Sequence, residues 1–146
     1  MEKYVINGGK PLHGSVDISG MKNAAVAVIF AAILTEDICV IENVPDIIDV
    51  RVSLEILSSM GVGVRRLKKD TIEINSKHCR GGTSPYELVR KMRASYYLLG
   101  AELGRFGRAY VAYPGGCDFG VRPIDQHIKG LEALGTKVYV EGGYIE

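Results

Sequence analysis

The sequence predicts an α/β (α+β) fold of repeated strand–helix–strand–helix–strand–strand units, with mixed sheets around buried helices. Three observations predict it. First, VRVSLEILSSMGVGV, from Val50 to Val64, aligns with IDQHIKGLEALGTKV, from Ile124 to Val138. Leu54, Leu57, Met60, Gly61 and Val64 fall on Ile128, Leu131, Leu134, Gly135 and Val138. Apolar steps of three and four mark one helix face, and the glycine that follows marks a helix end. Second, MKNAAVAVIFAAIL, from Met21, aligns with MRASYYLLGAELGR, from Met92, so Lys22 and Arg93 hold equivalent places. Third, each of these helices leads into a short apolar strand and then a proline, Pro45 or Pro114.

The elements follow in order. KYVIN and SVDIS, within residues 1–20, alternate like strands. AAVAVIFAAIL, residues 24–34, is apolar on all sides and reads as a buried helix. It is too short to span a bilayer, and the strand-like segments before it do not make the basic start of a signal peptide. ICVIENV, from Ile38, is a strand. The Val50 helix ends at Gly61, and the turn KKD, residues 68–70, joins two further strands. SPYE, residues 84–87, has the form of a capping box with Pro85 at the first helical position. The apolar pattern allows one helix from Pro85 to Leu103, but the repeat favours a break near Lys91 to Arg93 and a fresh helix after it. AYVAY, from Ala109, is the matching strand, and EGG, residues 141–143, the matching turn. The second copy stops at Glu146 as its last strand begins, so the chain reads as a fragment of a longer protein or a truncated product.

Composition restricts the partners. A 47% apolar and 24% charged chain with a net charge of +1 gives no sign of nucleic acid or of an acidic membrane surface. Three cysteines without CxxC spacing argue against a disulfide framework and for a reducing, cytoplasmic compartment. His78-Cys79 reads as a surface turn rather than a zinc ligand pair.

Chemistry concentrates at a few cations and one thiol. A cation beside a helix N-terminus favours phosphate or carboxylate, because the free N–H groups and the dipole add to its charge. That arrangement is expected at Lys22-Asn23 and at Arg93-Ala94, with Arg122 ahead of a helix that Asp125 caps. Taken singly, each is more readily a solvated surface side chain; recurrence at matching positions, with Cys117 on the loop leading to Arg122, weighs against that reading. Cys117 lies in YPGGCDFGVRP, displayed by glycines rather than set in an apolar run. Near Lys22 and Arg122 its thiol is drawn toward thiolate, or serves as a proton donor when bound anions offset those cations. An inert thiol in a turn is the alternative. For His127, a structural role is at least as well supported as a catalytic one. No GxGxxG follows a strand and no Walker sequence is present.

GGKPLHGSVDISGMKNAA, VRKMRAS and PGGCDFGVRPIDQHIKGLEALG together resemble the UDP-N-acetylglucosamine 1-carboxyvinyltransferases, and the likeness runs in order through the whole chain. The resemblance implies the enolpyruvyl-transferase fold: two lobes of three such units each. Residues 1–20 would belong to the C-terminal lobe and residues 21–146 to a partial N-terminal lobe. It implies transfer of the enolpyruvyl group of phosphoenolpyruvate to the 3′-hydroxyl of UDP-N-acetylglucosamine, with loss of phosphate, at the opening of peptidoglycan synthesis. Lys22, Asn23 and Arg122 would hold phosphoenolpyruvate. Asn23, Arg93, Arg122, Pro123, Ile124, Asp125 and Gln126 would line the nucleotide-sugar site. Cys117 would protonate the substrate methylene and would be the target of fosfomycin, on a loop acting as a lid. No metal or organic cofactor is implied.

Met21, Val26-Ala27, Asp118-Phe119 and Gln126 depart from the family's usual residues without removing a motif position. An acidic residue that takes the sugar hydroxyl proton would lie beyond Glu146, so the chain alone is expected to be inactive. Strands cut from their missing lobe would leave unpaired edges that favour self-association. Two other readings stand beside this one: a non-catalytic UDP-sugar-binding truncated copy, and the related transferase acting on shikimate 3-phosphate, which lacks this cysteine loop.

Overall fold

Each copy of the repeat folds as helix, strand, helix and hairpin. The computed structural model describes residues 3–82, 84–113 and 124–146. The first copy contains α1 (Lys22–Ala31), which tightens into a 3₁₀ turn at Ala32–Leu34, then β1 (Ile38–Ile41), α2 (Ile48–Ser59), β2 (Gly63–Lys68) and β3 (Thr71–Asn75). The short α3 (Tyr86–Val89) links it to the second copy. That copy opens with a 3₁₀ turn at Arg93–Tyr96 and continues through α4 (Tyr97–Phe106), β4 (Val111–Ala112), α5 (Asp125–Ala133), β5 (Val140–Glu141) and β6 (Tyr144–Ile145).

Burial explains the order. α1 lies against both α2 and α4. Ile29, Phe30 and Ile33 from the first run, Ile56, Leu57 and Met60 from the second, and Leu98 from the fourth helix are all fully enclosed. Ile72 and Ile74 on β3 close the core from the sheet side. Each such side chain stabilises the fold by about 1.5–3 kcal/mol relative to exposure. The glycines after α2 and α5 stand at positive φ, +85° at Gly61 and +94° at Gly135, as the repeat predicts. A side chain at Gly61 would also meet the His78 carbonyl.

The expected break between α3 and α4 is present. Met92 is extended, with φ −133° and ψ 138°, and a new helical run starts at Arg93. Buried Val89 and Met92 anchor the two sides of the break. Ser95 Oγ donates to the Met92 carbonyl at 2.9 Å. One continuous helix would swing these apolar groups out of the core.

Several expectations change in detail. SPYE does not cap a helix: Pro85 keeps an extended ψ of 123°, helical geometry begins only at Tyr86, and no side chain caps it. Ser84 then sits one residue too early, and its hydroxyl has no partner. Asp125 is likewise the first residue of α5, not its cap, which is Ile124; there its charge still favours the helix N-terminus. The sheets are not mixed in their pairings. β1 and β2 run the same way, but β3 inserts between them, and the orders β1-β3-β2 and β4-β6-β5 make every described pairing antiparallel. α1 and its 3₁₀ extension are not enclosed on all sides: Val28 and Leu34 are about half exposed, at 48% and 53%. Residues 3–20 carry neither helix nor strand, and Tyr4, Ile6 and Leu12 project into solvent. KYVIN and SVDIS thus find no pairing strand among the described residues.

Candidate active site

The repeat sets two matching helix starts side by side. Met21 precedes α1 in extended geometry, as Met92 precedes Arg93. The cation that follows each methionine therefore leaves the chain at an equivalent point. Because α1 packs against both α2 and α4, the two starts converge. Lys22, Asn23, Asp49, Lys91, Arg93 and Tyr96 line one open pocket of about 450 Å³. Lysine and arginine outnumber acids there by three to one. Lys22 Nζ donates to Asp49 Oδ2 at 2.7 Å, and both side chains remain accessible, 57% and 30% exposed. The pair is therefore within reach of a ligand.

The start of α5 joins this pocket through an aromatic contact. Tyr96 packs its ring 4.6 Å from that of Tyr97 and 4.5 Å from that of His127. Ile124, just before α5, is buried and anchors its start in the core. Asp125 and Gln126 are exposed at that start, with Gln126 Nε2 donating to Asp125 Oδ2 at 3.0 Å.

Of the sequence-derived site residues, Lys22, Asn23 and Arg93 come together in the pocket, and Ile124, Asp125 and Gln126 stand at the neighbouring helix start. Cys117, Arg122 and Pro123 lie outside the described residues, as do Asp118 and Phe119. Asp49, Lys91 and Tyr96 were not singled out from the sequence. Asp49 could have been noticed as an acid in the first turn of α2, but its place in the second copy is taken by Pro123, so the repeat gives it no emphasis.

Two further polar groups are buried in structural roles. The Glu102 carboxylate is fully enclosed and accepts from the backbone N–H of Gly82 at 3.3 Å and of Tyr110 at 3.1 Å. Burial holds it above the usual carboxylate range, and those two N–H groups oppose the shift. Burial likewise pushes the Cys79 thiol up, with Arg105 working against it and Glu102 with it. A groove of about 440 Å³ between α4 and α5 is lined by Leu99, Leu103, Leu131 and Leu134. Arg108 and Lys137 line it too, but none of the sequence-derived site residues does.

The EPSP synthase (3-phosphoshikimate 1-carboxyvinyltransferase) family model matches residues 6–146. The chain belongs to the EPSP synthase family. Among relatives, UDP-N-acetylglucosamine 1-carboxyvinyltransferase 2 of Clostridium acetobutylicum is 54% identical over 100% of this chain and 35% of its own length. UDP-N-acetylglucosamine 1-carboxyvinyltransferase 3 of Caldanaerobacter subterraneus subsp. tengcongensis is 52% identical over 99% of this chain and 34% of its own. This member of the EPSP synthase family thus spans about a third of the length of these relatives. The crystal structure of the enolpyruvyl transferase NikO from Streptomyces tendae superposes with a TM-score of 0.76 at 26% identity. It covers 94% of this chain and 30% of NikO. The fold expected from the repeat and the resemblance is therefore the fold found. No helix among the described residues is long and apolar enough to cross a membrane.

Proposed function

We propose that these residues form part of an enolpyruvyl transferase acting on phosphoenolpyruvate and UDP-N-acetylglucosamine in the cytoplasm, at the first committed step of peptidoglycan synthesis. The observation that carries this is the convergence of Lys22, Asn23 and Arg93 on one open pocket. Both substrates carry several negative charges, and a pocket with an excess of cations stabilises them and the charge that moves during transfer. Identity of 54% and 52% to relatives named for UDP-N-acetylglucosamine supports that acceptor over shikimate 3-phosphate.

In the proposed reaction the sugar 3′-hydroxyl gives its proton to an acidic residue beyond Glu146 and attacks C2 of phosphoenolpyruvate, while the Cys117 thiol gives a proton to the C3 methylene and is left as thiolate. A tetrahedral adduct results. A proton then passes from C3 back to that thiolate as the bond from C2 to the phosphate oxygen breaks, which restores the double bond and releases phosphate. Lys22, Asn23 and Arg122 hold phosphoenolpyruvate. Asn23, Arg93 and the run Arg122–Gln126 hold the nucleotide sugar. Residues 1–20 belong to the C-terminal lobe of the full-length protein. One lobe supplies only one wall of the cleft, so the 146 residues alone do not turn over.

A chimera tests this. These residues replace the matching third of the Clostridium acetobutylicum relative, and phosphate release is followed. The chimera is expected to release phosphate only with both phosphoenolpyruvate and UDP-N-acetylglucosamine, and not with shikimate 3-phosphate as acceptor. UDP-sugar binding without phosphate release, in a folded chimera whose parent turns over, would instead establish a non-catalytic binding module.

A further inference from the structure

We propose that the outer face of the β4-β6-β5 sheet is a docking surface for an arginine side chain of a partner protein, held between tyrosine rings and the Glu146 carboxylate. The repeat supplies the first observation. In the first sheet Arg65 lies opposite Glu73 across β2 and β3, and its guanidinium forks onto that carboxylate at 3.2 and 2.9 Å. The second sheet has the same pairing. Tyr139 and Glu146 exchange backbone hydrogen bonds at 2.8 and 2.9 Å, next to the Val140–Ile145 pair that matches Arg66–Ile72. Glu146 therefore stands where Glu73 stands, but a tyrosine takes the place of the arginine. Among the described residues neither Glu141 nor Glu146 has an ion pair.

The second observation is aromatic. Tyr110, Tyr139, Glu141, Gly142, Tyr144 and Glu146 line an open pocket of about 370 Å³ on this face. Glu141 faces Tyr144 as Glu146 faces Tyr139, so the carboxylates take one diagonal and the two rings the other. The Tyr110 and Tyr144 rings stack at 4.6 Å, within 10° of parallel. Tyr86 continues the aromatic run 5.5 Å from Tyr144, and the Arg90 guanidinium lies 5.1 Å from the centre of the Tyr86 ring. The chain's own cation thus covers one end of the run. At the other end Tyr110 and Tyr139 are 43% and 61% exposed. Side chains opposite each other on neighbouring strands have Cβ atoms about 5 Å apart, so a planar group that forks onto Glu146 lies along the Tyr139 ring. A guanidinium suits both contacts, because it is planar, charged and stacks on aromatic faces; an ammonium cannot fork. The carboxylates repel phosphate, which sets a nucleic acid aside. Arg108 and Lys137 line the adjoining leucine groove, which Tyr139 and Glu146 also border, but neither lines the tyrosine pocket.

The test titrates acetyl-Gly-Arg-Gly-amide and acetyl-Gly-Lys-Gly-amide into the 146-residue chain and follows the tyrosine rings by NMR. The arginine peptide is expected to shift Tyr110, Tyr139 and Tyr144 saturably at about 1–10 mM, and to bind about three- to tenfold more tightly than the lysine peptide. Glu146→Gln keeps the shape, removes the charge and is expected to weaken the arginine peptide by about threefold. Tyr139→Arg rebuilds the pair of the first sheet within the chain, so it is expected to block the arginine peptide and abolish the preference. Equal affinity for the two peptides would overturn guanidinium recognition. Unmoved tyrosine signals, or arginine-peptide binding unchanged in both Glu146→Gln and Tyr139→Arg, would overturn the docking surface itself.

Discussion

Replacing Cys117 with alanine in the chimera is expected to lower phosphate release by about 10²- to 10⁴-fold, the usual contribution of a placed general acid. Substrate affinity is expected to change little, because the binding cations are untouched. Serine does not rescue the loss, since a hydroxyl is a far weaker acid than a thiol. The other two cysteines cannot stand in. Cys39 is partly buried in β1, opposite Ile74. Cys79 is buried, and burial raises its pKa, which keeps it from forming thiolate. Neither lines the pocket of Lys22 and Arg93. Labelling by fosfomycin, with UDP-N-acetylglucosamine present, is accordingly expected at Cys117 ahead of both, as read by peptide mass. Undiminished turnover in Cys117→Ala would remove the thiol from the mechanism.

The second large effect is on stability. Arg105→Ala is expected to cost about 1.5–3 kcal/mol, the range for hydrogen bonds to a charged group. Its Nη1 donates to the carbonyls of Ile33 at 2.6 Å and Thr35 at 2.9 Å, and to Ser76 Oγ at 2.9 Å. Nη2 donates to the Ser76 carbonyl at 3.0 Å and stands 3.6 Å from Glu36. The Arg105 side chain is only 10% exposed. One planar fork thus closes the carbonyl end of the α1 run, fastens it to the end of β3, and joins both to α4. Alanine would take the Arg105 donor from the Ile33 carbonyl, and would leave the Thr35 and Ser76 carbonyls with only Ser76 Oγ and the Cys79 N–H, in a place water reaches poorly. Lysine would recover only part of the loss, because an ammonium cannot match the fork. Urea unfolding of the 146-residue chain measures the difference. A cost below about 1 kcal/mol would place Arg105 with ordinary surface pairs. Domains of this size hold about 5–15 kcal/mol in all, so the expected loss is a large part of the whole.

The repeat made most of the fold legible. Apolar spacing on the Val50 and Ile124 helices, the glycines that end them, and the break before Arg93 all reflect local backbone preference and burial, which sequence carries directly. The helix starts were less legible. Whether Pro85 is the first helical residue or the cap depends on one ψ angle, and composition does not fix it. The insertion of β3 between β1 and β2 is a choice among long-range pairings, and strand patterns alone do not decide it. At the site, Lys22 and Arg93 stood out because they recur, whereas Asp49 does not recur and reaches Lys22 from 27 residues away. Glu102 and Arg105 look like the polar face of α4 in sequence. Their burial appears only when the residue-80 loop and the Thr35–Ser76 junction close over them.

The most direct test of the central claim is a residue-resolved NMR titration of the 146-residue chain with phosphoenolpyruvate and UDP-N-acetylglucosamine together. Saturable shifts that are largest at Lys22, Asn23 and Arg93, and small along Leu99 to Leu134, are the expected result. Shifts that centre on the leucine-lined groove, or that leave Lys22 and Arg93 unmoved at saturating ligand, would contradict the claim that these paired cations gather the anionic substrate.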